Sequence, residues 1–354
     1  MLYRENGQFK TTYRSDQQLL PITQDRFFVW GVVALAFLLV PLVASDYMFR
    51  AVIIPFLILT IAAIGLNILV GYCGQISLGH AAFMSVGAYA AYNLVVHAPG
   101  LNFLIVLVLA GLIAALVGVV FGVPSLRIKG LYLAVATLAA QFFIDWVFAR
   151  VKWFTNYAPS GSVSASDVVL FGWTIAGPVE KYWFVLGVLV VMTLLAKNLV
   201  RSHVGRSWMA IRDMDVAASV IGIQPLHAKL SAFAVSSFFA GVAGALWGFI
   251  YLGAWEPLAF SINLSFNLLF MIIIGGMGSI LGSYFGAAFI VVLPLALNQL
   301  PRLLGIPMST AMISHLEFMI FGALIVLFLI AEPHGLARLW AIGKEKLRLW
   351  PFPH

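Results

Sequence analysis

Hydrophobic positions run through this chain in long, nearly unbroken stretches, and polar residues gather in the gaps between them. Ten apolar segments stand out: Phe27 to Ser45, Ala51 to Val70, Gly79 to His97, Asn102 to Gly122, Leu131 to Ala149, Tyr182 to Leu199, Leu230 to Ile250, Leu264 to Leu281, Ser283 to Leu300 and His315 to Ala331. Each is close to the ~20 residues with which an α-helix crosses a ~30 Å hydrocarbon core. A membrane barrel would show short alternating segments, whereas runs such as AVIIPFLILTIAAIGLNILV satisfy their backbone as helices. The pattern predicts an all-α polytopic membrane protein with about ten transmembrane helices. An even number of crossings puts both termini on one side.

Charge orients the chain, because Lys and Arg are retained on the cytoplasmic face. With both termini cytoplasmic, that face holds Arg4, Lys10, Arg14, Arg26, Arg127, Lys129, Lys197, Arg201, Arg206, Arg212, Lys229, Arg338, Lys344, Lys346 and Arg348, fifteen of the 20 basic residues. The expected organisation is a cytoplasmic N-terminal tail (1–26), a transmembrane domain (27–331) and a cytoplasmic C-terminal tail (332–354). Within the membrane domain, an external loop spans 150–181 and a cytoplasmic loop spans 201–229.

Composition agrees and narrows the class. The chain is 354 residues, 62% hydrophobic and 9% charged, with a mean hydropathy of +1.03, outside the range of a soluble domain. From Ala51 to Leu126 there is no Asp, Glu, Lys or Arg. The net charge of +7 is not a nucleic-acid footprint, since the basic residues flank apolar runs. The lone cysteine, Cys73, can form no internal disulfide and no metal cluster, and reads as a small buried residue. The first 26 residues lack a short apolar core followed by a cleavage site, so no removable signal peptide is expected.

Two glycine-rich stretches interrupt the apolar pattern. Residues 71–83 read GYCGQISLGHAAF, and 275–289 read GGMGSILGSYFGAAF. Both carry Gly, a polar residue, Ile and then a small-residue run ending in Ala-Ala-Phe, which hints at an internal duplication. Paired Gly-interrupted segments in two halves of a transporter point to its pathway. Gln75, Ser77, His80, Gly275, Gly276 and Gly278 are therefore candidate pathway or gate residues. For the three polar side chains, hydrogen bonding between helices and a gate at the cytoplasmic end stand beside the lining of a cavity. In AGVAGALWG, Gly241, Gly244 and Gly248 make a small helix face, for tight packing or for lining a channel. Asp145 lies near the outer end of its segment, where Arg150 or Lys152 would pair with it, or where it would relay a proton.

The cytoplasmic loop, RSHVGRSWMAIRDMDVAASVIGIQPLHAK, places Trp208, Ile211, Ala218 and Ile221 near helical spacing. It predicts a short amphipathic helix or helix pair, ended by Gly222 and Pro225. Such a helix either lies on the bilayer or fits a groove in a soluble partner.

At this point a resemblance appears. GRSWMAIRDMDVAASVIGI resembles the coupling loop of ABC importer membrane subunits, in which a Glu-Ala-Ala, three residues and Gly pattern seats in the ATPase. Gly205, Arg206, Arg212, Asp215, Ala217, Ala218 and Gly222 occupy the corresponding region, with Asp-Val-Ala-Ala in place of the strict Glu-Ala-Ala. With GYCGQISLGHAAF, LRIKGLYLAVATLAAQF, AGVAGALWG and GGMGSILGSYFGAAF in that order, the chain resembles the branched-chain amino acid and urea group of these permeases, from about Phe28 to Ala331.

The resemblance implies a bacterial inner-membrane assembly with a second permease subunit, in a heterodimer, two cytoplasmic ATPase subunits and an external solute-binding protein. ATP and Mg would be used by those partners, and no G-x-x-x-x-G-K-[ST] phosphate loop occurs in this chain. The chain would be a transport subunit and not an enzyme. Its solute would be Leu, Ile or Val, or a related urea, amide or aromatic acid. Members often carry a Thr-Gly-Gly-type stretch after the fifth helix, where TNYAPSGSVSA stands here. From the residues alone an ion-coupled carrier remains open, as does a membrane-embedded enzyme using His80 and Asp145.

Overall fold

The structure, a computed structural model, describes residue 12 and residues 23–125, 131–158, 161–166, 168–303, 310–331 and 335–349. Arg4, Lys10, Arg14, Arg127 and Lys129, used above to orient the chain, lie outside the described residues.

Each of the ten apolar segments coincides with a helix. These are α1 (Thr23–Leu38), α2 (Ile54–Asn67), α3 (His80–His97), α4 (Phe103–Ser125), α5 (Leu131–Arg150), α6 (Pro178–Arg201), α8 (Pro225–Leu246), α9 (Ile262–Gly275), α10 (Ile280–Leu303) and α11 (Thr310–Ala331). Between α6 and α8 the 201–229 loop forms α7 (His203–Val220), and α11 is followed by α12 (Gly335–Leu349), in a stretch expected only as a tail. Among the described residues, eight helices are long and apolar enough to cross a membrane. The more polar α3 and the partly described α11 are the two outside that count. The chain is an all-α, multi-pass membrane protein.

Proline begins α6 and α8, where the missing N–H would have had no helical partner. Helix α2 is extended at both ends by π-helical turns, Phe49–Ile53 and Ile68–Tyr72. Helices α2 and α8 form the centre. Their spans are 83% and 78% buried, and between them they meet α3, α4, α6, α9 and α10. In the α1 span, by contrast, no residue is fully buried.

Small residues let the central helices close up. A side chain at Gly87 would run into the Gly241 backbone, one at Gly244 into Met84, and one at Gly241 into Ala114. Close backbone approach of this kind supplies dispersion contact that lipid cannot replace. AGVAGALWG is thus a packing face: Gly248 lies under the Trp255 ring and none of its three glycines opens on a channel.

At the far end from α7, the 150–181 loop begins with a 3₁₀ turn, Lys152–Thr155. It continues into β1 (Val163–Ser164) and the antiparallel hairpin β2 (Val168–Leu170) with β3 (Trp173–Ile175). β1 pairs antiparallel with β4 (Ala254–Trp255), Val163 opposite Trp255, tying this loop to the end of α8.

Candidate functional site

Helices α2, α6 and α9 all run toward the end where α7 lies, and the two glycine stretches connect helices there. Helix α7 is anchored by its first half. The Trp208 ring is fully buried and its Nε1–H donates to Ser231 Oγ on α8 at 2.9 Å, while Ile211 is also buried. Ser202 caps the helix through Gly205 N–H, and Gly205 sits against the Leu199 and Val200 carbonyls, leaving no room for a side chain. Arg206 Nη1 donates to the Arg201 carbonyl at 3.1 Å, closing the end of α6.

Arg212 then reaches sideways. Its Nη1 donates to the Gly71 carbonyl at 2.9 Å, its stem covers Gly74, and the same nitrogen lies against Gly278. Asp213 holds the guanidinium from the other side, with Nη2 to Oδ1 at 2.8 Å. At Met214 the backbone leaves the helix for an extended conformation (φ −161°, ψ 96°), so α7 is two short helices joined by one residue. The second half is tethered by Asp215 to Lys229 at 3.9 Å and by buried Ala218. Its other side chains point outward: Met214 is 67% exposed and Val220 82%, with Val216, Ala217 and Ile221 exposed beside them. Gly222, at φ +92°, ends it in the left-handed conformation that glycine adopts without strain.

The two glycine stretches touch. A side chain at Gly71 would overlap the Gly278 backbone. Asn67, one turn earlier on α2, accepts from Gly278 N–H at 2.8 Å, and its amide meets the Ser279 carbonyl at 2.8 Å and Ser283 Oγ at 3.0 Å. Gly276 and Gly278, at φ +123° and +75°, make the sharp turn into α10, while Gly275 packs on Gly282.

The first connection does something different. After Gly74 the chain runs without regular secondary structure back into the bundle before α3 starts. The start of α3 is held by groups deep inside: Leu78 N–H donates to Thr137 Oγ1 (2.9 Å), Ala81 N–H to Ser265 Oγ (2.8 Å) and Ala82 N–H to Gln141 Oε1 (2.8 Å). Gln141 stands ten residues into α5, and Ser265 ten residues before α9 ends. Both place the start of α3 about 15 Å inside the bundle. Helix α3 is therefore a discontinuous helix whose first turn lies at membrane depth, where non-helical backbone is tolerated only inside protein or beside a cavity.

The polar side chains of this segment are buried and unsatisfied. Gln75 Oε1 and Ser77 Oγ have no hydrogen-bond partner within the chain, and the His80 ring, fully buried like Ser77, has the Ala62 carbonyl of α2 beside it without a well-formed hydrogen bond. Further along α3, Ser85 Oγ, Tyr89 Oη and Asn93 Oδ1 are buried and unpartnered too, four residues apart. Tyr89 and Asn93 line an otherwise apolar cavity of about 570 Å³ between α3, α4 and α5 near the external loop. Sequence reading missed this series, although Ser, Tyr and Asn at a spacing of four on an apolar helix was the available signal. It also missed Asn67 and Gln141. Asp145 pairs with neither Arg150 nor Lys152; both its oxygens accept from Gln141 Nε2 at 3.1 Å, because one turn of α5 brings those side chains together. Among the described residues, no group of His, Cys, Asp or Glu is arranged to hold a metal ion.

A discontinuous helix that starts inside the bundle and a helix anchored at the end of the bundle are the features of this site, and sequence comparison says what kind of protein carries them. The family described as branched-chain amino acid transport system / permease component matches residues 48–329. The chain belongs to this permease family. Among relatives, the high-affinity branched-chain amino acid transport system permease proteins LivM of Salmonella typhimurium and Escherichia coli are each 31% identical over 307 residues, covering 79% of this chain and 68% of theirs. A probable branched-chain amino acid transport permease protein LivM of Methanocaldococcus jannaschii is 24% identical over 319 residues, covering 78% and 89%. No solved structure matches the chain significantly. As a member of this family the chain is a transport subunit of an ABC transporter complex and not an enzyme.

Proposed function

We propose that this permease imports branched-chain amino acids and takes its power stroke through Arg212. The observation that carries the reading is the single side chain that joins α7 to both glycine stretches. Met214, Val216, Ala217, Val220 and Ile221 form an outward apolar knob suited to a groove in a cytoplasmic ATPase. Two such subunits would bind ATP and Mg, and a second permease subunit would complete a heterodimer. Movement of the knob pulls on Gly71 and Gly278 through Arg212, and these lie at the entrance to the irregular 74–79 segment.

The pathway in this reading follows Gln75, Ser77, His80, Ser85, Tyr89 and Asn93. Their unpaired polar atoms are costly while sealed, by ~1–3 kcal/mol each, and are satisfied once water and a polar solute enter. The described state is closed to water at Ser77 and His80. An external binding protein would deliver solute at the end formed by the 150–181 loop and β4.

Reconstitution with partner ATPases and a binding protein tests this. Leucine uptake and ATP hydrolysis should both be lost on Arg206→Glu or Gly222→Trp while the membrane domain stays folded. Normal ATP-driven uptake by both variants removes α7 from the coupling role.

A further inference from the structure

Helix α12 plays no part in the account so far. Its sequence, GLARLWAIGKEKLRL, places Leu336, Leu339, Trp340, Gly343 and Leu347 at i, i+3, i+4, i+7 and i+11, one apolar stripe. The rest carries Arg338, Lys344, Lys346 and Arg348 against one acid, Glu345. The helix is rooted at the second glycine stretch: a side chain at Gly335 would lie 2.6 Å from the Ile274 carbonyl and 2.7 Å from Gly276 N. Trp340 meets Phe285 of α10 edge-on at 5.9 Å, yet stays 50% exposed, as Leu339 stays 46% exposed.

Depth decides what covers them. Phe285 is five residues inside the α10 span, which begins at Ile280, so Trp340 sits about 7.5 Å inward of the helix end. A soluble partner docks beyond that end, whereas the headgroup layer surrounds it. A half-covered tryptophan, an exposed leucine and a surplus of basic residues are together satisfied at the boundary of an anionic bilayer. We propose that α12 lies in the headgroup layer at the α7 end of the bundle and binds anionic phospholipid, bracing the turn at Gly276.

The test uses the full-length chain in lipid nanodiscs, spin-labelled through Ala341→Cys, since Cys73 is buried and Ala341 exposed. Ala341 lies on the charged face, between Arg348 and Glu345, so a helix docked through its apolar stripe holds the label at the water side of the headgroups. A second label at Leu339→Cys, on the exposed part of the stripe, should with phosphatidylglycerol present be far better shielded from a water-soluble nickel chelate than the one at 341. In phosphatidylcholine alone, or with Lys344→Gln, Lys346→Gln and Arg348→Gln combined, the ratio of docked to lifted helix should fall roughly fivefold per charge lost. Equal chelate access in both lipids, no change in the triple variant, or shielding that appears only on adding ATPase subunits would each overturn the proposal.

Discussion

The two glycine stretches look alike in sequence and are built for opposite purposes. The turn at 276–279 is short, sits at the end of the bundle and is fixed from every side: by Asn67, by the close approach of Gly71, and by Gly335. The 74–79 segment is irregular, runs about 15 Å inward and carries polar atoms, Gln75 Oε1 and Ser77 Oγ, that have no protein partner. Rigidity in one and incompleteness in the other are complementary. A pathway that must accept water needs unsatisfied groups, and such groups stay in place only when the frame beside them is fully bonded. Arg212 touches both, so the frame and the passage share one handle.

Substitutions separate the two roles. The largest effect is expected from Gly71→Val, because the new side chain overlaps the Gly278 backbone and cannot be relieved by a rotamer; monodisperse yield after detergent extraction should collapse. If Gly71→Val extracts normally, the two stretches are not in the contact described. Next, Asn67→Leu strips three interactions and leaves the Gly278 N–H unbonded. A loss on the order of 3 kcal/mol is expected, read as a lower thermal unfolding midpoint of the purified chain.

Arg212→Ala should leave that midpoint nearly unchanged, since the side chain is partly exposed, while ATP-driven uptake drops roughly tenfold or more with the loss of a charged hydrogen bond. An equal drop in the midpoint would reduce Arg212 to a structural brace. Smallest in stability is His80→Leu. Its ring nitrogens make no well-formed hydrogen bond, with only the Ala62 carbonyl beside them, so the apolar replacement should shift stability by less than about 1.5 kcal/mol and yet lower uptake. Full uptake with leucine at 80 would take His80 off the pathway.

The helices were legible because lipid demands long apolar runs, and the ten segments needed only boundary adjustments. Leu264 to Leu281 was too long by the whole second turn, since an apolar window reads through Met277 and Ile280 and cannot see the positive φ of Gly276. The candidate residues were found from composition: glycine and polar side chains are rare enough in such a chain to stand out. What sequence could not show was their meeting. Arg212 and Gly71 are 141 residues apart, and Asn67 looked like any polar residue in a helix until the Gly278 N–H was seen opposite it. The recessed start of α3 was equally invisible, because an irregular segment inside a bundle and an exposed loop share the same glycine-rich, polar composition. Helix α12 was overlooked for a simpler reason: its charges suggested a solvated tail, although its apolar stripe was there to be counted.

The extended residue at Met214 gives α7 the properties of a hinged tow-bar. A partner gripping Val216 to Ile221 would hold a segment joined to α8 through Asp215 and Lys229 and through buried Ala218. The break at Met214 separates that segment from the half seated by Trp208, so a pull on it would reach Trp208 and Arg212 across one non-helical residue and not along a continuous rod.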